Sequence, residues 1–238
     1  SQYHGPLVID GMTKFKNAGP ERIADLVASK SEQLAMTFAD EMNEDLFDAA
    51  ATSDANRGKA IYSLRSFIQD DPTADLDVGK INQSTYSWWR NLTDDGTSYN
   101  TGELFVGGLR NMHNNLSKTS GGKPSALIVH QDIYEDFEAW LDTRVQYVQT
   151  DEAGPGFEKI KYKNLKLWFD DDIASGVALM INPAFLKLVQ AKGMDFKPTP
   201  FERPVNQDAY IANAFWYGQL ICSNRRKLGV IHSIPAFS

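Results

Sequence analysis

The sequence predicts an α+β fold, and three of its features do so. Ile23, Val27, Leu34, Phe38, Met42 and Leu46 recur at helical spacing, with Glu, Asp, Lys and Gln between them and no Gly or Pro before Gly58. Ala126-Leu127-Ile128-Val129 is a short continuous apolar run that reads as a buried strand, and Leu165 to Phe169 and Val177 to Ile181 read as two further short strands. Gly, Pro and Asp cluster between these segments and mark turns.

In chain order, Tyr3 to Phe15 contains Leu7-Val8-Ile9 and then Gly11, and reads as an extended strand or arm. Gly19-Pro20-Glu21 starts a helix, because proline at the first helical position loses no needed hydrogen bond and an early glutamate suits the helix dipole. From about Pro20 to Phe47 that helix spans roughly 40 Å at 1.5 Å per residue, long for a compact domain. Thr52 to Asp77 is polar and turn-rich around Ile61-Tyr62 and Phe67-Ile68, so loops with at most short strands are expected. Tyr86, Trp88 and Trp89 form an aromatic cluster ahead of the turn Asp94-Asp95-Gly96. Leu104, Leu109, Met112 and Leu116 then mark a second helix ending near Gly121, which Gly107-Gly108 weakens.

Ala126 to Val129, bounded by Pro124, reads as a buried strand, and Asp132 caps a helix carrying Ile133, Tyr134, Phe137, Trp140 and Leu141. Gly154-Pro155-Gly156 is the next punctuation. Leu165 to Phe169 and Val177 to Ile181 flank the turn Asp170 to Gly176 and are expected to pair as a hairpin, the second strand ending at Asn182-Pro183. Pro198, Pro200 and Pro204 mark an extended crossing segment and a domain junction. Tyr210 to Ile234 reads as a strand, a basic turn at Asn224-Arg225-Arg226-Lys227, and a strand.

A chain of 238 residues can bury a core in one domain or two. Hydrophobic residues at 42% and charged residues at 23% favour folding over disorder. The one cysteine, Cys222, cannot form an internal disulfide, which fits a reducing compartment such as cytoplasm. No run approaches the roughly 20 apolar residues of a membrane span, and no secretory pattern opens the chain, so a soluble, unsecreted protein is expected. A net charge of -7 argues against tight gripping of nucleic acid but not against a wall that surrounds it.

Asp170-Asp171-Asp172 is the one run of carboxylates suited to a hard cation, although a solvated turn accounts for it as well. Asp71, Asp75 and Asp77 before Gly79 lack the glycine placement and closing glutamate of a calcium loop. His4, His113, His130 and His232 are scattered singly, without the pairing of a zinc site. No nucleophile elbow, phosphate-binding loop or dinucleotide fingerprint is present. Cys222 sits in an apolar run, where a free cysteine packs as a small hydrophobe. Arg225-Arg226-Lys227 reads as a solvated turn, with DNA, an acidic patch or a neighbouring subunit as the other readings.

The order of segments resembles that of tailed-bacteriophage major capsid proteins of the Hong Kong 97 type, over nearly the whole chain. Asn17-Ala18-Gly19 followed by Ile23-Ala24-Asp25-Leu26 is similar to the passage into that family's long spine helix, and Tyr3 to Phe15 resembles the returning strand of its extended loop. Pro124 to Val129 followed by Tyr134 resembles the strand and helix of the axial domain, and Gly156-Phe157 through Trp168-Phe169-Asp170, then Leu179 to Asn182, resemble its next strands. Pro204-Val205-Asn206-Gln207-Asp208, Trp216, Gly218-Gln219-Leu220 and Asn224-Arg225-Arg226 resemble the closing segment. Two departures stand out: the family has an N-terminal arm and an outgoing loop strand before the point equivalent to Ser1, and Ser63-Leu64 stands where members show a Gly-Leu step.

The resemblance implies a peripheral domain of spine helix plus sheet over residues 17–95 and 200–238, an axial α/β domain over 96–199, and a remnant of the extended loop over 1–16. It implies a structural protein with no catalytic, cofactor or metal site, which assembles with itself as hexamers and pentamers into an icosahedral shell. That shell encloses double-stranded phage DNA without sequence-specific binding. Scaffold, portal and decoration proteins are the further partners implied, with no membrane, assembly in the host cytoplasm and the virion as final location. Some relatives lock the shell by a lysine-to-asparagine cross-link, and no spacing here singles out such a pair. Two other readings stand beside it: an encapsulin-like nanocompartment shell, and a metal-dependent enzyme built on Asp170, Asp171 and Asp172.

Overall fold

The computed structural model describes residues 1–16, 20–48, 60–118, 121–142, 161–162, 165–205 and 207–237. Its elements begin with β1 (Gln2–Asp10), α1 (Gly11–Lys16), α2 (Pro20–Phe47) and α3 (Leu64–Phe67). The small hairpin of β2 (Asp77–Val78) and β3 (Ile81–Asn82) follows, then β4 (Leu92–Asp95), α4 (Gly102–Ser117), β5 (Ala126–Val129) and α5 (Gln131–Asp142). The chain continues through β6 (Lys161–Tyr162), β7 (Leu165–Phe169), β8 (Ala178–Ile181), β9 (Leu186–Pro198), β10 (Ala209–Cys222) and β11 (Gly229–His232). The sequence signals at Asn17 to Gly19, from Thr52 to Gly58, and from Gly154 to Phe157 lie outside the described residues, as do Asn206 and the side chains of Ile23 and Ala24.

The chain forms two compact units. The first takes in Ser1–Leu46, Ala50–Ser63 and Leu188–Ile221, around a sheet of order β1-β10-β9. β1 runs antiparallel to β10, from Gln2 opposite Tyr217 to Asp10 opposite Ala209. Side chains of β1 alternate with the pleat: Tyr3, Leu7 and Ile9 are buried, while His4, Pro6 and Val8 are exposed. The buried face meets α2, whose Leu34, Phe38, Met42 and Leu46 recur every four residues and pack with Tyr3, Ala214 and Trp216. Gly5 is the point of closest approach, where a Cβ would lie 2.5 Å from Leu34 and 2.8 Å from Phe38. Burying each large apolar side chain is worth about 1.5–3 kcal/mol, so this stripe, more than propensity, holds the long helix.

The second unit takes in Phe47–Ala49, Leu64–Lys187 and Cys222–Ser238, around a sheet of order β4-β11-β8-β5-β7-β6. β5 runs parallel to β7, which it reaches through α5, and antiparallel to β8. On α4, Phe105, Leu109, Met112 and Leu116 recur at helical spacing and share one core with Ile133 and Phe137 of α5 and Leu127, Val129, Leu165, Leu167, Met180 and Ile231 of the sheet. Every residue of β8 is buried, so this inner strand is covered on both faces.

Several expectations from the sequence hold. α2 covers the expected Pro20–Phe47, and β5, α4 and α5 lie where their apolar patterns placed them. Others need correction. Tyr3 to Phe15 is not one strand, since the chain turns helical at Gly11, whose N–H donates to the Asp208 carbonyl at 2.8 Å. β7 and β8 do not pair as a hairpin; β5 is inserted between them and bonds to both. Asp132 lies in the first turn of α5 rather than at its cap, its N–H donating to His130 Nδ1 at 3.2 Å. Pro198 to Pro204 is not a crossing segment but the tip between β9 and β10. β9 itself escaped the sequence because residues 187–195 are exposed on both faces, which leaves no alternation to read. The compact units group residues 64–95 and 222–238 with the six-stranded sheet, where β4 and β11 pair in parallel.

Candidate functional site

The residues singled out for chemistry are held in their own local surroundings. The Asp170 carboxylate accepts the Asp172 N–H at 3.0 Å within their own turn, and Asp171 and Asp172 are exposed. Asp71 accepts the hydroxyl and N–H of Thr73 at 2.5 and 2.9 Å, bonds that hold its carboxyl below the usual range. Among the described residues no three His, Cys, Asp or Glu side chains gather as a metal site. The histidines belong to different segments, on β1, in α4, before α5 and on β11. Burial pushes the half-buried Cys222 thiol up from its ordinary value, the reverse of what activates a nucleophile. No helix among the described residues is long and apolar enough to cross a membrane.

The basic turn behaves differently from its sequence reading. Arg225 and Lys227 are 0% and 1% exposed, so two of its three cations are structural and not solvated. Arg225 donates from Nε to the Phe67 carbonyl at 2.6 Å and from Nη1 to the Trp89 carbonyl at 3.2 Å. Its Nη2 donates to Gln83 Oε1 at 3.0 Å and Asn91 Oδ1 at 3.1 Å. The guanidinium also lies 5.9 Å from the Trp89 ring centre. Burial pushes its pKa down to about 10, against which these neutral oxygens hold the charge. Lys227 Nζ donates at 2.8 Å to the Leu116 carbonyl, in the last turn of α4, where a cation meets the negative end of the helix. No apolar period could have announced this hub; a short basic run directly before an apolar strand was its only trace.

Some of the large apolar side chains among the described residues are exposed on braced supports. Trp88 is 56% exposed beside the exposed Tyr86. Their segment is fixed by Trp89 Nε1 donating to the Val78 carbonyl at 2.8 Å and by Arg90 donating to the carbonyls of Gln83 and Ser84 at 2.7 and 2.6 Å. On β7, Trp168 and Phe169 are 55% and 53% exposed, and the Phe169 ring lies 5.0 Å from that of Tyr134. Rigid, exposed aromatic residues of this kind are suited to contacts between proteins, not to bond chemistry.

No family model matches the sequence, and no curated protein is similar to it in sequence. Solved structures are similar to it in fold. The capsid subunit of cyanophage A-1(L) is similar with a TM-score of 0.68 at 16% identity, over 98% of this chain and 76% of that one. The encapsulin of the holo-complex from Synechococcus elongatus PCC 7942 is similar with a TM-score of 0.61 at 10% identity, over 100% of this chain and 75% of that one. The capsid of Myoviridae phage XM1 is similar with a TM-score of 0.57 at 7% identity, over 98% of this chain and 72% of that one. The chain therefore has the α+β capsid fold of the Hong Kong 97 type.

Proposed function

We propose that this chain is the major capsid protein of a tailed bacteriophage, a structural subunit that assembles with itself into an icosahedral shell around phage DNA. The observation that carries the reading is the fold similarity to the cyanophage capsid subunit over 98% of this chain. In this reading the unit of the six-stranded sheet, α4 and α5, which holds most of residues 96–199, takes the axial place at capsomer centres. The unit of α2 and the three-stranded sheet takes the peripheral place.

The work of such a subunit is association. Each copy buries preformed surfaces against several neighbours, and contacts of unlike patches close into hexamers and pentamers. A net charge of -7 suits an inner wall past which packaged DNA slides without sticking. Scaffold, portal and decoration proteins, and assembly in the host cytoplasm, belong to the same proposal.

The second reading is an encapsulin-like compartment, favoured by the similarity to an encapsulin over the whole chain. Electron microscopy of particles from cells producing the protein with its neighbouring genes, followed by analysis of their contents, tests the two. Shells holding nuclease-protected, genome-length DNA support the phage reading; shells holding a protein cargo and no DNA replace it with the compartment.

A further inference from the structure

We propose that the tip of the β9–β10 hairpin of one copy seats on the exposed face of the β1–β10 pair of a second copy, a contact that rests on the shell reading above. The receiving face is the side of the three-stranded sheet turned away from α2. His4 sits opposite Phe215, Pro6 opposite Asn213 and Val8 opposite Ile211, all on this side. The His4 and Phe215 rings are stacked at 6.5 Å, and those of Phe215 and Tyr217 at 6.4 Å. Val8 is 44% exposed. Residues 2–8 and 211–217 contain no Asp, Glu, Lys or Arg. An aromatic, charge-free patch is the composition enriched at the centres of interfaces.

The tip offers a matching surface. Pro198, Pro200 and Pro204 remove amide donors and stiffen the backbone, while Phe201 and Val205 are 40% and 99% exposed. It is braced by Arg203 donating to Asp208 Oδ1 at 2.8 Å and by Glu202 and Ile211 exchanging backbone N–H bonds at 2.9 Å. The ion pair neutralises most of the tip's charge. Stiff, proline-rich segments dock on aromatic surfaces because little entropy is lost and no amide is stranded.

A tip cannot cover its own aromatic pair. The Gly11 N–H bond to the Asp208 carbonyl, 2.8 Å, fixes the tip at the Asp10 end of β1, whereas Tyr217 lies opposite Gln2. At about 3.3 Å per residue, Ala209 and Tyr217 are about 26 Å apart along β10. A second copy removes that separation, and because donor and receiving surfaces differ, the contact propagates from copy to copy and closes into rings. The few residues of one tip cover less than the roughly 800 Å² per partner of a stable pair, so the contact belongs to assembled rings and not to a free dimer.

The test mixes chains carrying Val205→Cys with differently tagged chains carrying Val8→Cys, both with Cys222→Ser, before assembly and mild oxidation. A disulfide joining the two tags, at least ten times more abundant than in a control of Val205→Cys with Leu104→Cys, is the result expected. Assembled particles with no more cross-link than the control overturn this contact and leave the shell reading standing. Unmodified protein that never passes the size of a dimer overturns the shell reading itself. As a second measure, Val205→Asp lowers particle yield at least tenfold with an unchanged thermal midpoint; an unchanged yield overturns the contact.

Discussion

The Arg225 guanidinium donates to the Phe67 carbonyl oxygen at 2.6 Å across 158 residues of chain, and the four acceptors it meets are all neutral oxygens. The buried cation is thus held by neutral oxygens and the face of the Trp89 ring, and it ties the end of α3, the Trp89 region and the turn before β11 into one piece. Arg225→Met removes the donors and leaves buried oxygens unsatisfied, each at about 1–3 kcal/mol. A total loss of at least about 3 kcal/mol is expected, read as a fall in the urea midpoint. Arg225→Lys recovers less than half of it, because a single ammonium cannot span the fork.

Adjacent glycines of α4 separate in effect. A Cβ on Gly107 meets nothing within 4 Å, whereas one on Gly108 collides with the Tyr99 ring. Gly107→Ala therefore stabilises by about 0.5–1 kcal/mol through the helix and unfolded-chain terms. Gly108→Ala destabilises, by about 1–3 kcal/mol, because the ring must leave its seat. Thermal unfolding of the two variants beside the parent checks both signs.

Tyr99 donates to Asp94 Oδ2 at 2.8 Å, and burial together with that carboxylate pushes its pKa up to about 12. Unfolded, the phenol ionises near pH 10, so between about pH 10 and 12 the folded state holds the proton that the unfolded state has lost. The Tyr99 contribution is whole below pH 10 and declines as pH rises toward 12. Urea midpoints at pH 9 and pH 11 should fall more in the parent than in Tyr99→Phe; equal falls contradict the assignment.

Trp168 on β7 separates folding from association. Trp168→Ala changes stability by no more than about 0.5 kcal/mol, as expected at a surface, yet lowers particle yield at least tenfold. Circular dichroism and sedimentation of the same sample read the two effects independently.

Legibility in the sequence followed physical periodicity. The four-residue spacing of Leu34, Phe38, Met42 and Leu46, with the proline start at Pro20, yielded α2, and the apolar run Ala126 to Val129 yielded β5, because each faces a continuous core. β9 lacked a buried face and so left no pattern. Sheet order was not written in spacing either: β7 and β8 are neighbours in sequence, yet the parallel partner of β7 is β5, a choice made by the α5 crossover. Arg225 and Lys227 looked like surface charge because their acceptors come from residues 67 to 122, distant in the chain and neutral. The surfaces proposed for assembly were visible only as aromatic residues such as Trp88 and Trp168, whose exposure no spacing predicts.

The most direct test of the shell reading is the mass of the purified full-length protein, expressed with its neighbouring genes, by sedimentation and light scattering with electron microscopy of the same fractions. Closed icosahedral particles or capsomer rings of five and six copies are the predicted result. A monodisperse monomer or dimer under every condition contradicts it.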